Sequence, residues 1–325
     1  MIGRRAVIVA GGSVAVGLSP AAHAQQPARL AWIEPGTAAL GAKFSVALRS
    51  GLADNGLVDG RDYVLDLYPA DGDYSRFPAL TRQALATSPA ILLVLTIASV
   101  RAAQEATKTT PIVFMSTNDP VGAGLIDSLA RPGGNTTGVA TMADDAVPKL
   151  VEMLRTVLPQ ARTLAVLINP QNATNRPIFE RARTAAATAG IEARAIEVTS
   201  PQGLEERLGP RTGPQPDAVL VVADGLLNQL SGPIAALGLE RRIPILAPSR
   251  TFAEAGALLS YGASYSALIR RSAFFVKRIL AGARPSDLPA EQPTKFELVL
   301  NLRTAKALGI ALPPSLLATA DETIE

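Results

Sequence analysis

From Arg29 onward, short apolar runs alternate with longer amphipathic segments, a rhythm that restricts the chain to parallel strands joined by covering helices. Arg29–Ile33, Tyr63–Leu67, Ala90–Leu95, Pro111–Met115 and Thr136–Ala140 predict strands. Ala39–Asn55, Ser75–Thr87, Ser99–Thr107 and Gly122–Ala130 predict the helices between them, with Gly56 placed to stop the first in a left-handed cap and Ser75 to start the second. Right-handed crossovers then wind these units into one sheet covered on both faces. After Gly138 the rhythm restarts. Thr163–Ile168, Ile191–Val198, Ala218–Val222 and Pro244–Ala247 predict strands, and Ala146–Leu158, Asn175–Ala189, Gln202–Leu208 and Leu230–Arg241 predict helices. Two similar halves are implied, which also suits a chain too long for one growing core. The Pro/Gly-rich stretch Gly209–Pro216 reads as an exposed loop, because a strand resumes at once. A last section, with strands at Leu258–Tyr261 and Phe296–Leu300 and helices at Ser264–Ala281 and Leu302–Leu308, is too small for a third domain and must complete the first two.

The first two dozen residues stand outside this rhythm. Arg4 and Arg5 form a basic n-region, Ala6–Leu18 is an apolar stretch too short to span a bilayer, and Ala22-His23-Ala24 has the form of a cleavage site. Residues 1–24 are therefore expected to be a signal peptide, with a mature protein that begins near Gln25 and resides in the periplasm. The Arg pair partly resembles a twin-arginine signal, and both export routes stay open. No later segment reaches the length of a membrane helix.

Loss of that segment narrows the chemistry. The chain has no cysteine and one histidine, His23, so the mature protein has neither residue. Ser-His-Asp and Cys-His catalysis, His or Cys zinc sites, disulfides and a lipidated cysteine are excluded, and no cofactor or metal is expected. The net charge of +3 falls to +1 once Arg4 and Arg5 leave. That balance does not point to nucleic acid or an anionic membrane surface.

Three stretches then carry a resemblance. Asp119-Pro-Val-Gly-Ala-Gly-Leu-Ile-Asp-Ser-Leu-Ala-Arg-Pro-Gly-Gly-Asn-Thr-Thr-Gly-Val139, Glu254-Ala-Gly-Ala-Leu-Leu-Ser-Tyr-Gly262 and the run from Glu291 to Gly309 resemble signature segments of the ABC transporter substrate-binding proteins related to tryptophan/tyrosine-binding members. The resemblance spans nearly the whole mature chain. It implies an α/β fold of the type I periplasmic-binding-protein kind, two Rossmann-like lobes with parallel sheets and a hinge of three crossovers, near Thr141, Tyr261 and Glu291–Pro293. Lobe one would hold 29–140 and 262–290, and lobe two 141–261 and 291–325. The implied partners are a small-molecule solute and an inner-membrane ABC permease with its ATPase, on which a monomer docks peripherally. An amino acid or a small, aromatic carboxylate is the implied solute.

In open α/β sheets ligands sit beyond the carboxyl ends of the strands, so the loops there hold the candidate residues. Thr96 and Ser99 open a helix whose free N–H groups suit a carboxylate, although Ser99 also suits a plain helix cap. Relatives usually carry Gly-Thr-Pro-Ala in this loop, and Ile97 stands where their threonine is. Ser116, Thr117 and Asp119 follow the fourth strand; Asp119 can pair with an ammonium or cap the turn after Pro120. Glu34 ends the first strand, where family members more often have a small or hydroxyl residue, and either reads a positive group or points outward. Trp32 shares its face and reads as core. The second half offers Asn169, Asn172, Asp224 and Arg250. Arg250 either clamps a carboxylate bidentately or serves a surface or inter-lobe ion pair. Tyr261 either stacks on an aromatic solute or pins a crossover.

Two other function classes compete. A nucleotide-binding enzyme is disfavoured because the loop after the first strand, Glu34-Pro-Gly-Thr, lacks a G-x-G-x-x-G fingerprint and the chain has no G-x-x-x-x-G-K-[ST] loop. A ligand-sensing module shares the fold class, but the chain carries no helix-turn-helix or membrane anchor to couple it.

Overall fold

The computed structural model describes residues 26–207 and 215–325. The expected signal peptide, the end of the helix expected at Gln202–Leu208 and most of the loop Gly209–Pro216 lie outside the described residues.

The first half runs β1 (Ala28–Glu34), α1 (Ala38–Asp54), β2 (Tyr63–Pro69), α2 (Phe77–Leu85), β3 (Ile91–Val94), α3 (Ile97–Ala106), β4 (Ile112–Thr117) and β5 (Thr136–Ala140). These five strands form a parallel sheet in the order β2-β1-β3-β4-β5. Alternation along β1 shows why its sequence is continuously apolar: Leu30 and Trp32 enter one core while Ala31 and Ile33 enter the other. Trp32 is fully buried in the core it shares with Phe44 and Leu48 of α1. Thr37 caps α1 by accepting from the Leu40 N–H at 3.2 Å, and Gly56, at φ +77°, takes the left-handed conformation that turns the chain back after the helix.

The second half runs α4 (Ala143–Val157), β6 (Thr163–Ile168), α5 (Asn175–Thr188), β7 (Glu192–Glu197), α6 (Pro201–Arg207), β8 (Ala218–Val221), α7 (Gly225–Gln229), α8 (Ser231–Arg241), β9 (Ile245–Ala247), α9 (Arg250–Ala255) and β10 (Leu259–Gly262). It continues through α10 (Tyr265–Leu280), β11 (Glu297–Asn301), α11 (Leu302–Leu308), α12 (Pro314–Thr319) and β12 (Glu322–Ile324). The second sheet has the order β7-β6-β8-β9-β10-β11-β12, so its first five strands repeat the topology of the first sheet. Among the described residues of this sheet only the β10–β11 pair is antiparallel.

Three chain passages join the lobes. After Ala140 the chain passes through Met142, held at φ 53°, directly into α4. After Gly262 it returns to the first lobe, where α10 packs on α1 and against β4 and β5. Glu291 then pairs with Val139 beside β5 before β11 joins the second sheet. The last section is thereby divided: strands to the second lobe, long helix to the first. The α1–α10 contact is a close one at Gly51, where a Cβ would collide with the Arg270 carbonyl oxygen.

One expected helix is absent. Gly122–Ala130 forms consecutive turns, because Pro120 supplies no N–H, Asp119 takes φ 36° and Gly124 takes φ 67°. The short elements α7, α9, α12 and β12 were not anticipated, being too brief to show a period.

Candidate functional site

The carboxyl ends of the strands of both sheets face one another across a cleft, and a cavity of about 60 Å³ lies between them, room for a few waters. Glu34 after β1, Thr96 after β3, Ser116 and Asn118 at the end of β4 and Thr141 after β5 line it from the first lobe. Asn172 and Thr174 after β6 and Ala223, Asp224 and Asn228 around α7 line it from the second. Apolar wall is added by Pro35, Leu40, Phe44, Leu95 and Ile97, together with Tyr265 at the start of α10. The Tyr265 ring stands 6.5 Å from that of Phe44.

Asp224 is the hub of the second-lobe side. It caps α7, its Oδ1 accepting from the Leu227 N–H at 3.0 Å, while its Oδ2 accepts from Asn172 Nδ2 at 2.9 Å and Asn169 Nδ2 lies 3.3 Å from both oxygens. The Tyr74 hydroxyl, reaching from the first lobe, donates to Asp224 Oδ2 at 2.9 Å and accepts from the Gly225 N–H at 3.1 Å. This pair of bonds crosses the cleft. Closure there is tight: a Cβ on Gly225 would lie 2.8 Å from Pro35 Cβ, and one on Gly72 would lie 2.8 Å from Leu226 Cδ1. Burial pushes the Asp224 carboxyl upward against the lowering effect of its hydrogen bonds. Burial, reinforced by the Asp224 charge, holds the Tyr74 hydroxyl well above the usual phenol range and moves Tyr265 up to about 12.

Glu34 is differently placed. It is 2 % exposed, its Oε1 accepts from the Gly36 N–H at 2.9 Å, and its Oε2 has no hydrogen-bond partner. Burial pushes its carboxyl up to about 7, and the Gly36 bond offsets only part of that.

The sequence candidates separate into groups. Glu34, Thr96, Ser116, Asn172 and Asp224 come together around the cavity. Thr96 and Ser99 form a reciprocal cap at the start of α3, with Ser99 fully buried behind it. Thr117 is buried and donates to the Leu95 carbonyl at 2.9 Å, and Asn169 stands behind Asp224. Asp119 is exposed and caps the turn at Gly122 N, at 2.9 Å. Arg250 is exposed at the start of α9, does not line the cavity, and is held by Glu254 at 2.8 Å and bidentately by Glu322. The ion pair is thus the arrangement it adopts, because β12, which supplies Glu322, folds back beside β11. Tyr261 lies within the second sheet with its ring 5.6 Å from that of Phe296. Tyr74, Asn118, Tyr265 and Asn228 were not singled out. Tyr74 follows β2, so the rule that ligands sit beyond strand ends would have reached it had that loop been searched.

Two α/β lobes with polar groups converging on a buried cleft between strand ends define a bilobal solute-binding protein of the type I periplasmic-binding fold. The family model for ABC transporter substrate binding proteins matches residues 41–324, and the chain belongs to that family. Its members bind solutes and are not enzymes. A tyrosine-binding protein of Clostridioides difficile (strain R20291) is 25% identical over 259 residues, covering 80% of this chain and 74% of the relative. Among solved structures, a conserved domain protein from Vibrio cholerae is 26% identical with a TM-score of 0.81, over 92% of this chain and 100% of that one. The ABC domain from Streptococcus pneumonia in complex with L-Trp is 23% identical with a TM-score of 0.80, over 91% and 100% respectively.

Proposed function

We propose that this chain is the exported, periplasmic capture component of an ABC importer and that it holds one small solute, an amino acid or a small aromatic carboxylate, in the cleft between its lobes. The observation that carries this reading is the pair of hydrogen bonds from Tyr74 to Asp224 and from Gly225 to Tyr74, which join the lobes at two residues that line the cavity. A clamp that shuts on a solute needs such contacts, since they form only on closure. The lobes would comprise 29–140 with 262–290 and 141–261 with 291–325, moving about the three chain passages as a hinge. The tyrosine-binding relative supports an amino-acid solute, as do the aromatic and apolar walls at Phe44, Leu95 and Tyr265. In this reading Thr96, Ser116 and the α3 N–H groups that the Thr96–Ser99 cap leaves free would receive the solute carboxylate. The closed protein would dock as a monomer on a permease, whose ATPase drives release. The Ala22-His23-Ala24 motif supports export with maturation at Gln25.

The test uses protein expressed from its full sequence, recovered from a bacterial periplasm, then unfolded and refolded to remove any carried solute. Its mass should correspond to a chain starting at Gln25, and its melting temperature should rise with one or a few amino acids or aromatic acids. A mass that retains Met1, or a flat response across amino acids, aromatic acids and nucleosides, would sink the proposal.

A further inference from the structure

The cleft holds two buried carboxylates, and only one of them is complete. Asp224 receives hydrogens from Leu227 N, Asn172, Asn169 and Tyr74. Glu34 receives one, at Oε1, and its Oε2 has none. A buried carboxylate oxygen without a donor is unfavourable, and the protein offers none: no Lys, Arg or His among the described residues lines the cavity. The basic groups nearest Glu34 in chain position point elsewhere, Arg29 to Asp66 and Lys43 to Glu254.

The seat of Glu34 is shaped for it. A Cβ on Gly41 would come within 3.1 Å of Glu34 Cγ, and one on Gly36 within 3.1 Å of its Oε1 and 2.8 Å of Leu40 Cδ2. The side chain, which lines the cavity, is therefore held in place by close backbone approach. Building on the cleft reading above, we propose that Glu34 is the specificity-determining residue of this site, its free carboxylate oxygen accepting a hydrogen from a protonated amine of the solute. A cation is favoured over a neutral donor because two carboxylates share a cavity with no basic side chain in its lining, which makes the site a negative well. Burial raises the Glu34 carboxyl to about 7, a cost that a bound cation relieves. Amines and zwitterionic amino acids are thus the solutes that fit, and acids lacking an amino group are not.

Calorimetry and melting shifts on refolded protein test this with tyrosine, tryptophan, leucine and tyramine, each beside the same molecule without its amino group. Binding is expected from amines only, with deaminated partners at least tenfold weaker. Glu34→Gln is expected to lower amine affinity at least tenfold and to erase the preference for the amine. Gly225→Val, which obstructs closure against Pro35, reports on the cleft itself. If Gly225→Val weakens every ligand while Glu34→Gln keeps wild-type preference, the cleft reading stands and the role of Glu34 is overturned. If Gly225→Val binds like wild type, the cleft reading fails as well. A panel in which no amine binds also overturns the proposal.

Discussion

Glu34 shows how one residue turns placement into measurable chemistry. Its ordinary value of 4.5 applies to the unfolded chain, and in the fold its carboxyl rises to about 7. Between those values the unfolded chain has lost the proton that the folded chain still holds. Stability should therefore fall as pH rises from 4.5 to about 7, with the loss complete above that point and absent below 4.5. Asp224, Tyr74 and Tyr265 are the other titratable groups of the cleft, and the two phenols stay neutral throughout this window. The full effect is on the order of 3 kcal/mol. Urea denaturation of ligand-free wild type and Glu34→Gln at pH 5 and pH 8 checks it, since subtraction cancels the other carboxylates. A stability difference between the two proteins that is the same at both pH values would show that Glu34 is not buried as described. The placement of Glu34 at the end of β1 was legible in sequence; its orphaned oxygen was not, because that depends on what α1 and α7 bring near it.

At the scale of elements, helical glycines divide by what surrounds them. Gly51 lies where α1 meets α10, and a Cβ there would collide with Arg270 O and stand 2.9 Å from Ala273 Cβ. Gly232, in α8, has open space at the corresponding position. Gly51→Ala should destabilise by about 1–3 kcal/mol through overpacking, outweighing its gain in helix propensity. Gly232→Ala should stabilise by up to about 1 kcal/mol, since only backbone entropy changes. Thermal or urea unfolding of the pair checks both signs, and a stabilised Gly51→Ala would contradict the α1–α10 contact. Nothing in the local sequence separates these two glycines, because the distinguishing neighbour of Gly51 lies in a helix more than two hundred residues away. The expected helix at Gly122–Ala130 failed for the opposite reason: its apolar spacing looked periodic, while Pro120, Gly122 and Gly124 made turns cheaper locally.

At the scale of the whole molecule, the Tyr74 hydroxyl is the simplest handle on closure. Tyr74→Phe leaves each lobe its own core but removes the bonds to Asp224 and Gly225. Loss of a hydrogen bond to a charged group, about 1.5–3 kcal/mol, should weaken solute binding roughly tenfold or more. Small-angle scattering should show a larger mean radius of gyration for ligand-free Tyr74→Phe than for wild type, and a decrease in both on adding solute. Identical scattering and identical affinity would mean that these bonds do not govern closure.

The sequence by itself determined the strands up to β11, the long helices, the two-lobed plan and the loops that end at the cleft, because apolar period and capping residues are local signals that need no partner. Thr96, Ser116, Asn172 and Asp224 could be named on that basis. Only the tertiary structure decided that α10 returns to the first lobe, that Tyr74 crosses to Asp224, and that Arg250 is occupied by Glu254 and Glu322. Those outcomes rest on which surfaces meet after the chain has passed three times between lobes, and contacts between residues so far apart in sequence leave no periodicity in either segment to be read.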